Sequence, residues 1–185
     1  MAKMSSIHED VLEILYSEQE LENMVSRVAA EIRRDYADKN LFMVAVLKGS
    51  LMFMADLMRH LDIRCAIDFM AVSSYGNNTS TSGEVRVLKD LDSKLEGKDV
   101  LIVEDILDSG VTLAYLKKML SARNPRSIRI ATLLDKPERR KADVRADYVG
   151  AVVPDRFIVG YGLDYAEQYR NLPYIGVLKP EIYGN

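Results

Sequence analysis

Residues 100–113, VLIVEDILDSGVTL, impose more on the fold than any other stretch of the chain. They open on a continuous apolar run, Val100-Leu101-Ile102-Val103, of the kind a parallel strand shows when helices cover both of its faces. The run ends in charge at Glu104 and Asp105, and Asp108 follows. Ser109-Gly110-Val111-Thr112 then leads into apolar positions Leu113, Leu116, Met119 and Leu120, a helical spacing. The order is therefore strand, acidic turn, hydroxyl-rich turn, helix. A helix start exposes free backbone N–H groups and the positive end of its dipole, so it can hold a phosphate, with the Ser109 and Thr112 hydroxyls as further donors. Carboxylates beside it suit sugar hydroxyls or a hydrated divalent cation. On the residues alone a second reading stands beside this one: a solvated turn followed by a helix cap.

The rest of the chain extends the same alternation. At Ser17-Glu18-Gln19-Glu20 there is a capping box, and Leu21, Met24, Val25, Val28 and Ile32 mark one apolar face of a helix that ends before Asn40. Strands are expected at 42–47, 63–72, 84–88, 127–134, 148–153 and 174–179, and a helix at 51–61. The run 73–83, rich in Ser, Gly, Asn and Thr, reads as a functional loop. Alternating strands and helices predict an α/β fold with a mostly parallel central sheet flanked by helices, and ligands at the carboxyl ends of the strands. A length of 185 residues suits one domain over 1–185.

Other classes recede. Neither a Walker A pattern nor G-x-G-x-x-G is present, which argues against an NTPase or a dinucleotide enzyme. In a receiver domain the acidic pair would come early and the acceptor Asp much later, whereas here three acids share one turn. A net charge of −3 and a pI near 5.5 offer no electrostatic footprint for nucleic acid. Without a long apolar span or signal peptide, the expectation is a soluble cytoplasmic protein, with no membrane and no nucleic-acid partner. The single cysteine, Cys65, reads as a reduced core residue. His8 reads as an exposed tail residue, His60 as a helix-end surface group, and Arg139-Arg140-Lys141 as a wet basic turn.

The whole 100–113 string resembles the ribose-phosphate signature of the type I phosphoribosyltransferases, which move ribose 5-phosphate from phosphoribosyl pyrophosphate onto a nitrogenous base. The Asp at position 108 is characteristic of the branch acting on 6-oxopurines. Four further stretches match that branch: Leu47-Lys48-Gly49-Ser50, Ser73-Ser74-Tyr75-Gly76, Leu133-Leu134-Asp135-Lys136, and the long run from Val153 to Tyr165. The departures, Ser109 where many relatives have Thr and Ser50 where some have Gly, keep small, turn-compatible chemistry.

The resemblance implies the following roles. Glu104 and Asp105 face the ribose hydroxyls, directly or through Mg²⁺-bound water, and Asp108 to Thr112, including Gly110 and Val111, hold the ribose 5-phosphate. Asp108 also handles the proton on purine N7. Lys48 and Gly49 meet pyrophosphate after a non-proline cis peptide at Leu47-Lys48. Ser74 and Tyr75 close over the reacting centre. Lys136 contacts the exocyclic oxygen of the purine, Phe157 stacks on the base and Ile158 offers it backbone groups. Asp164 binds a second Mg²⁺ carrying pyrophosphate, which Arg170 also meets. The implied substrates are phosphoribosyl pyrophosphate with hypoxanthine and guanine, the cofactor Mg²⁺, the fold a type I sheet with a small hood from the N- and C-terminal segments, and the assembly a homodimer or homotetramer. Three alternatives remain open: a xanthine-guanine enzyme, an RNA-binding regulator on the same fold, and a non-catalytic scaffold.

Overall fold

The computed structural model describes residues 6–74 and 85–184. Six strands form the main sheet: β2 (Leu41–Leu47), β3 (Cys65–Ser74), β4 (Val85–Lys89), β5 (Asp99–Leu107), β6 (Ser127–Asp135) and β7 (Tyr148–Val152). Their order is β4-β3-β2-β5-β6-β7, parallel throughout except that β4 runs antiparallel to β3. The central strands β2 and β5 are buried along nearly their whole apolar length. The helices explain why. Helices α1 (Glu18–Tyr36) and α2 (Leu51–His60) pack on one face against Met43, Ala45, Leu101 and Val103. Helix α3 (Val111–Ser121) packs on the other against Phe42, Val44, Val46, Val100 and Ile102. Successive strand residues point to opposite faces, so a strand covered on both sides is apolar at every position.

The capping box forms as expected, with Ser17 Oγ accepting from the Glu20 N–H and the Glu20 carboxylate accepting from the Ser17 N–H. Strands β3 and β5 depart most from their expected bounds. Strand β3 begins two residues late, where Leu41 pairs with Cys65, and it runs on through the polar Ser73 and Ser74 because these pair with Arg86 and Val85 of β4. Strand β5 continues through Glu104 and Asp105 to Leu107, so both acids lie in the strand rather than in a turn, held there by pairing with β6.

A second, three-stranded antiparallel sheet forms the hood, in the order β1 (Val11–Tyr16), β9 (Ile175–Leu178), β8 (Ile158–Val159). It joins the two ends of the chain, and a terminal turn of helix, α4 (Pro180–Tyr183), follows it. Strand β1 escapes sequence reading because Leu12 and Ile14 are exposed and its pattern is that of neither a core strand nor a helix. His8, exposed as expected, is not a free tail residue: it lies in a 3-10 turn, Ile7–Asp10, with Nδ1 2.7 Å from the Tyr174 hydroxyl. Cys65 is a free, partly buried thiol. Among the described residues no helix is long and apolar enough to cross a membrane.

Candidate active site

The functional side chains gather at the carboxyl ends of β2, β5 and β6, where parallel strands stop and helices begin. Gly110 takes a left-handed conformation, φ +78°, as N-cap of α3, and a β-carbon there would stand 2.6 Å from Val144 Cγ1. The chain therefore turns from strand to helix within three residues, and the start of α3 borders a cavity of about 200 Å³. Glu104, Asp108, Ser109, Gly110 and Thr112 line it.

Burial pushes the Glu104 carboxyl well above the usual carboxylate range, and the adjacent Asp105 charge adds to the rise. Glu104 Oε2 is buried without a hydrogen-bond partner. Burial likewise pushes Asp105 up, to about 6, opposed by the Ile106 N–H that its Oδ1 accepts at 2.8 Å and by the positive charge of Arg170. A buried carboxylate oxygen without a partner, beside a second carboxyl whose pKa is also raised, is costly to the folded chain and suits a cation or a set of hydroxyl donors. Among the described residues no group of three or more His, Cys, Asp or Glu side chains could hold a metal unaided. That donor set fits Mg²⁺, which takes one or two carboxylates and completes its shell with water and substrate phosphate oxygens.

A second cavity, about 340 Å³, adjoins the first, for Ile106 and Asp108 line both. Its walls include Lys136, Phe157, Ile158 and Asp164. Lys136 is only 5% exposed. Its Nζ donates to the Arg156 carbonyl at 2.9 Å and lies 3.6 Å from Asp155 Oδ1. Phe157 meets two aromatic rings, Tyr165 at 86° and Tyr183 stacked on it within 18°.

Between the acids and the hood runs a ladder of opposite charges. Arg170 Nη2 lies 2.9 Å from Asp164 Oδ1, while its Nη1 donates to the Gly162 carbonyl at 2.7 Å. Lys48 Nζ pairs with Glu167 Oε2 at 2.7 Å. The Leu47-Lys48 peptide is cis. Each cation expected at pyrophosphate thus faces a carboxylate in this structure. Glu167 has no counterpart among the sequence expectations; its only sequence signal is a position three residues beyond Asp164.

The structure brings Lys48, Gly49, Glu104, Asp105, Asp108, Ser109, Gly110, Val111, Thr112, Lys136, Phe157, Ile158, Asp164 and Arg170 to one end of the sheet. Ser74 ends β3 on the same side, and Tyr75 lies outside the described residues. In the expected wet basic turn Arg139 and Lys141 are exposed, and only Arg140 departs, being partly buried and ion-paired with Asp135. Arg139 Nε lies 3.4 Å from Asp108 Oδ1, and the Lys141 N–H donates to the Ser109 carbonyl at 2.8 Å. This turn is the underside of the phosphate-facing loop, a contact between segments some 30 residues apart that local composition does not encode.

Residues 11–166 match the phosphoribosyl transferase domain, and the chain belongs to that family. The chain is 57% identical over 174 residues to the hypoxanthine-guanine phosphoribosyltransferase of Bacillus subtilis, covering 94% of this chain and 97% of that one. Among solved structures, a hypoxanthine phosphoribosyltransferase from Staphylococcus aureus superposes with a TM-score of 0.94 at 53% identity, covering 99% of this chain and all of that one. A hypoxanthine-guanine phosphoribosyltransferase from Bacillus anthracis superposes with a TM-score of 0.88 at 50% identity, covering 91% and 99%.

Proposed function

We propose that the chain is a purine-salvage transferase that converts hypoxanthine, and guanine, with phosphoribosyl pyrophosphate into IMP, or GMP, and pyrophosphate. The observation that carries this reading is the meeting of two cavities at Asp108: one at the start of α3, suited to a sugar phosphate, the other between Lys136 and Phe157, suited to a flat oxygen-bearing base.

In this reading the purine N9 attacks the anomeric carbon as the bond to pyrophosphate breaks, with inversion. The N–H groups of Ser109 to Thr112 hold the 5-phosphate. Asp108, lining both cavities, takes the N7 proton as N9 bonds to the sugar. Lys136 donates to the exocyclic oxygen, an interaction adenine cannot return, while Phe157 stacks on the ring and Ile158 presents backbone groups to its edge. Lys48, the Gly49 backbone and Arg170 take the pyrophosphate, exchanging Glu167 and Asp164 for phosphate oxygens. Asp164, with Glu104 and Asp105 directly or through water, would hold Mg²⁺, which when bound would neutralise charge on the leaving group. Ser74 and Tyr75 exclude water from the reacting centre. The chain is one domain, works in the cytoplasm, and assembles as a homodimer or homotetramer.

The test is a steady-state assay with phosphoribosyl pyrophosphate and Mg²⁺, offering hypoxanthine, guanine, xanthine and adenine separately. Turnover of hypoxanthine with adenine inert is expected. Good turnover of xanthine and guanine alone would keep the chemistry and overturn the base assignment. Binding of the sugar substrate without any turnover would favour a regulator.

A further inference from the structure

Phe157 belongs to none of the buried apolar clusters of the fold and is 37% exposed. Two tyrosines flank it. Tyr165 meets it edge-on, with ring centres 5.5 Å apart at 86°. Tyr183 stacks on it, with ring centres 4.6 Å apart and planes within 18°. Tyr183 is well anchored: α4 is closed by a Gly184 N–H to Pro180 carbonyl bond of 2.8 Å, and its side chain packs on the hood cluster of Val159, Tyr169, Leu172 and Leu178. It lines the same cavity as Phe157, Asp108 and Lys136. With Tyr183 stacked on it and Tyr165 at right angles to it, Phe157 keeps part of its ring exposed where it lines the cavity.

We infer that Tyr183 is a positioning residue of the base site: its ring backs Phe157 so that the second face of Phe157 is presented, already oriented, to the purine. This rests on the reading of that cavity as a purine site. An offset stack of two rings is favourable by itself, and a base added to a ring already held in place does not have to meet the entropic cost of fixing it. The C-terminal turn of helix, distant in sequence from every strand-end residue of the site, thereby becomes part of base recognition.

Tyr183→Ala and Tyr183→Phe test this in the intact chain. The alanine variant should raise KM for hypoxanthine roughly three- to tenfold, leaving KM for phosphoribosyl pyrophosphate and the sedimentation coefficient unchanged; the phenylalanine variant, which keeps the stack, should match the parent. An unchanged KM for hypoxanthine overturns the inference, as does a fall, which would make Tyr183 an occupant of the base's own place, or a rise accompanied by a change of assembly. The chain has no tryptophan, so Phe157→Trp supplies a single reporter that does not depend on activity. Tyr183→Ala in that background should increase acrylamide quenching, and equal quenching overturns the inference. Failure of the parent chain to use any purine would instead overturn the functional reading, and the quenching result would still decide whether Tyr183 holds the ring at position 157.

Discussion

The α-carbon of Gly49 lies against the carboxylate of Asp105: a β-carbon built on it would stand 1.7 Å from Asp105 Oδ2 and 2.6 Å from its Cγ. The turn after β2 and the acidic end of β5 are therefore interlocked, and the Gly49 backbone can approach whatever Asp105 faces. Gly49→Ala should force one of the two aside, in a site where a displacement of about 1 Å costs on the order of 10²-fold. We expect a loss of that size in kcat/KM with the far-ultraviolet dichroism of the parent. Parent-like turnover would show that the close packing is dispensable.

Glu104 and Asp105 should make the metal-free protein less stable as pH rises. Their folded-state pKa values are raised, so the folded chain holds protons that the unfolded chain releases, and stability falls between the unfolded values near 4 and the folded ones, about 6 for Asp105 and also raised for Glu104. Glu104→Gln removes the share of this dependence that Glu104 contributes. In chelator at pH 7.5 its thermal midpoint, followed by calorimetry, should lie a few degrees above that of the parent, with the difference shrinking toward pH 4, while activity is lost. A lower midpoint at pH 7.5 would contradict the burial argument.

Asp108 lines both cavities and has one oxygen, Oδ1, buried without a hydrogen bond although Arg139 stands 3.4 Å away. Asp108→Asn keeps the shape and removes the proton acceptor. It should lower kcat by ~10²–10⁴ and leave KM for phosphoribosyl pyrophosphate within a few-fold. Near-normal turnover would take Asp108 out of proton transfer.

Lys136 is a buried cation whose protein contacts are the Arg156 carbonyl and Asp155. A hydrogen bond from a charged group contributes about 1.5–3 kcal/mol, so Lys136→Met should lower kcat/KM for hypoxanthine by roughly 10- to 100-fold and narrow its advantage over adenine. An unchanged ratio between the two bases would place base selection elsewhere, on the backbone of Ile158.

Much of this was legible in the chain. The apolar runs 42–47 and 100–103 could only be strands covered on both faces, and the acids and hydroxyls that follow 103 had to sit where such a strand meets its helix. Lys48, Gly49 and Lys136 follow buried strands directly, so their positions were constrained by topology once the strands were recognised. The hood was less legible. Strand β1 is half exposed and β8 has only two residues, so neither carries a period-2 pattern long enough to read; each is a strand because β9 lies beside it.

The sequence by itself determined the central sheet and the strand-end chemistry of Glu104 to Thr112, because those follow from local order: apolar run, acids, small turn, amphipathic helix. Only the tertiary structure decided which distant groups complete the site. Glu167 pairs with Lys48 across 119 residues, Arg139 and Arg140 pass beneath the loop they support, and Tyr183 returns from the C-terminus to Phe157. Such contacts depend on how the hood folds over the sheet, a matter of packing between surfaces rather than of any pattern along the chain.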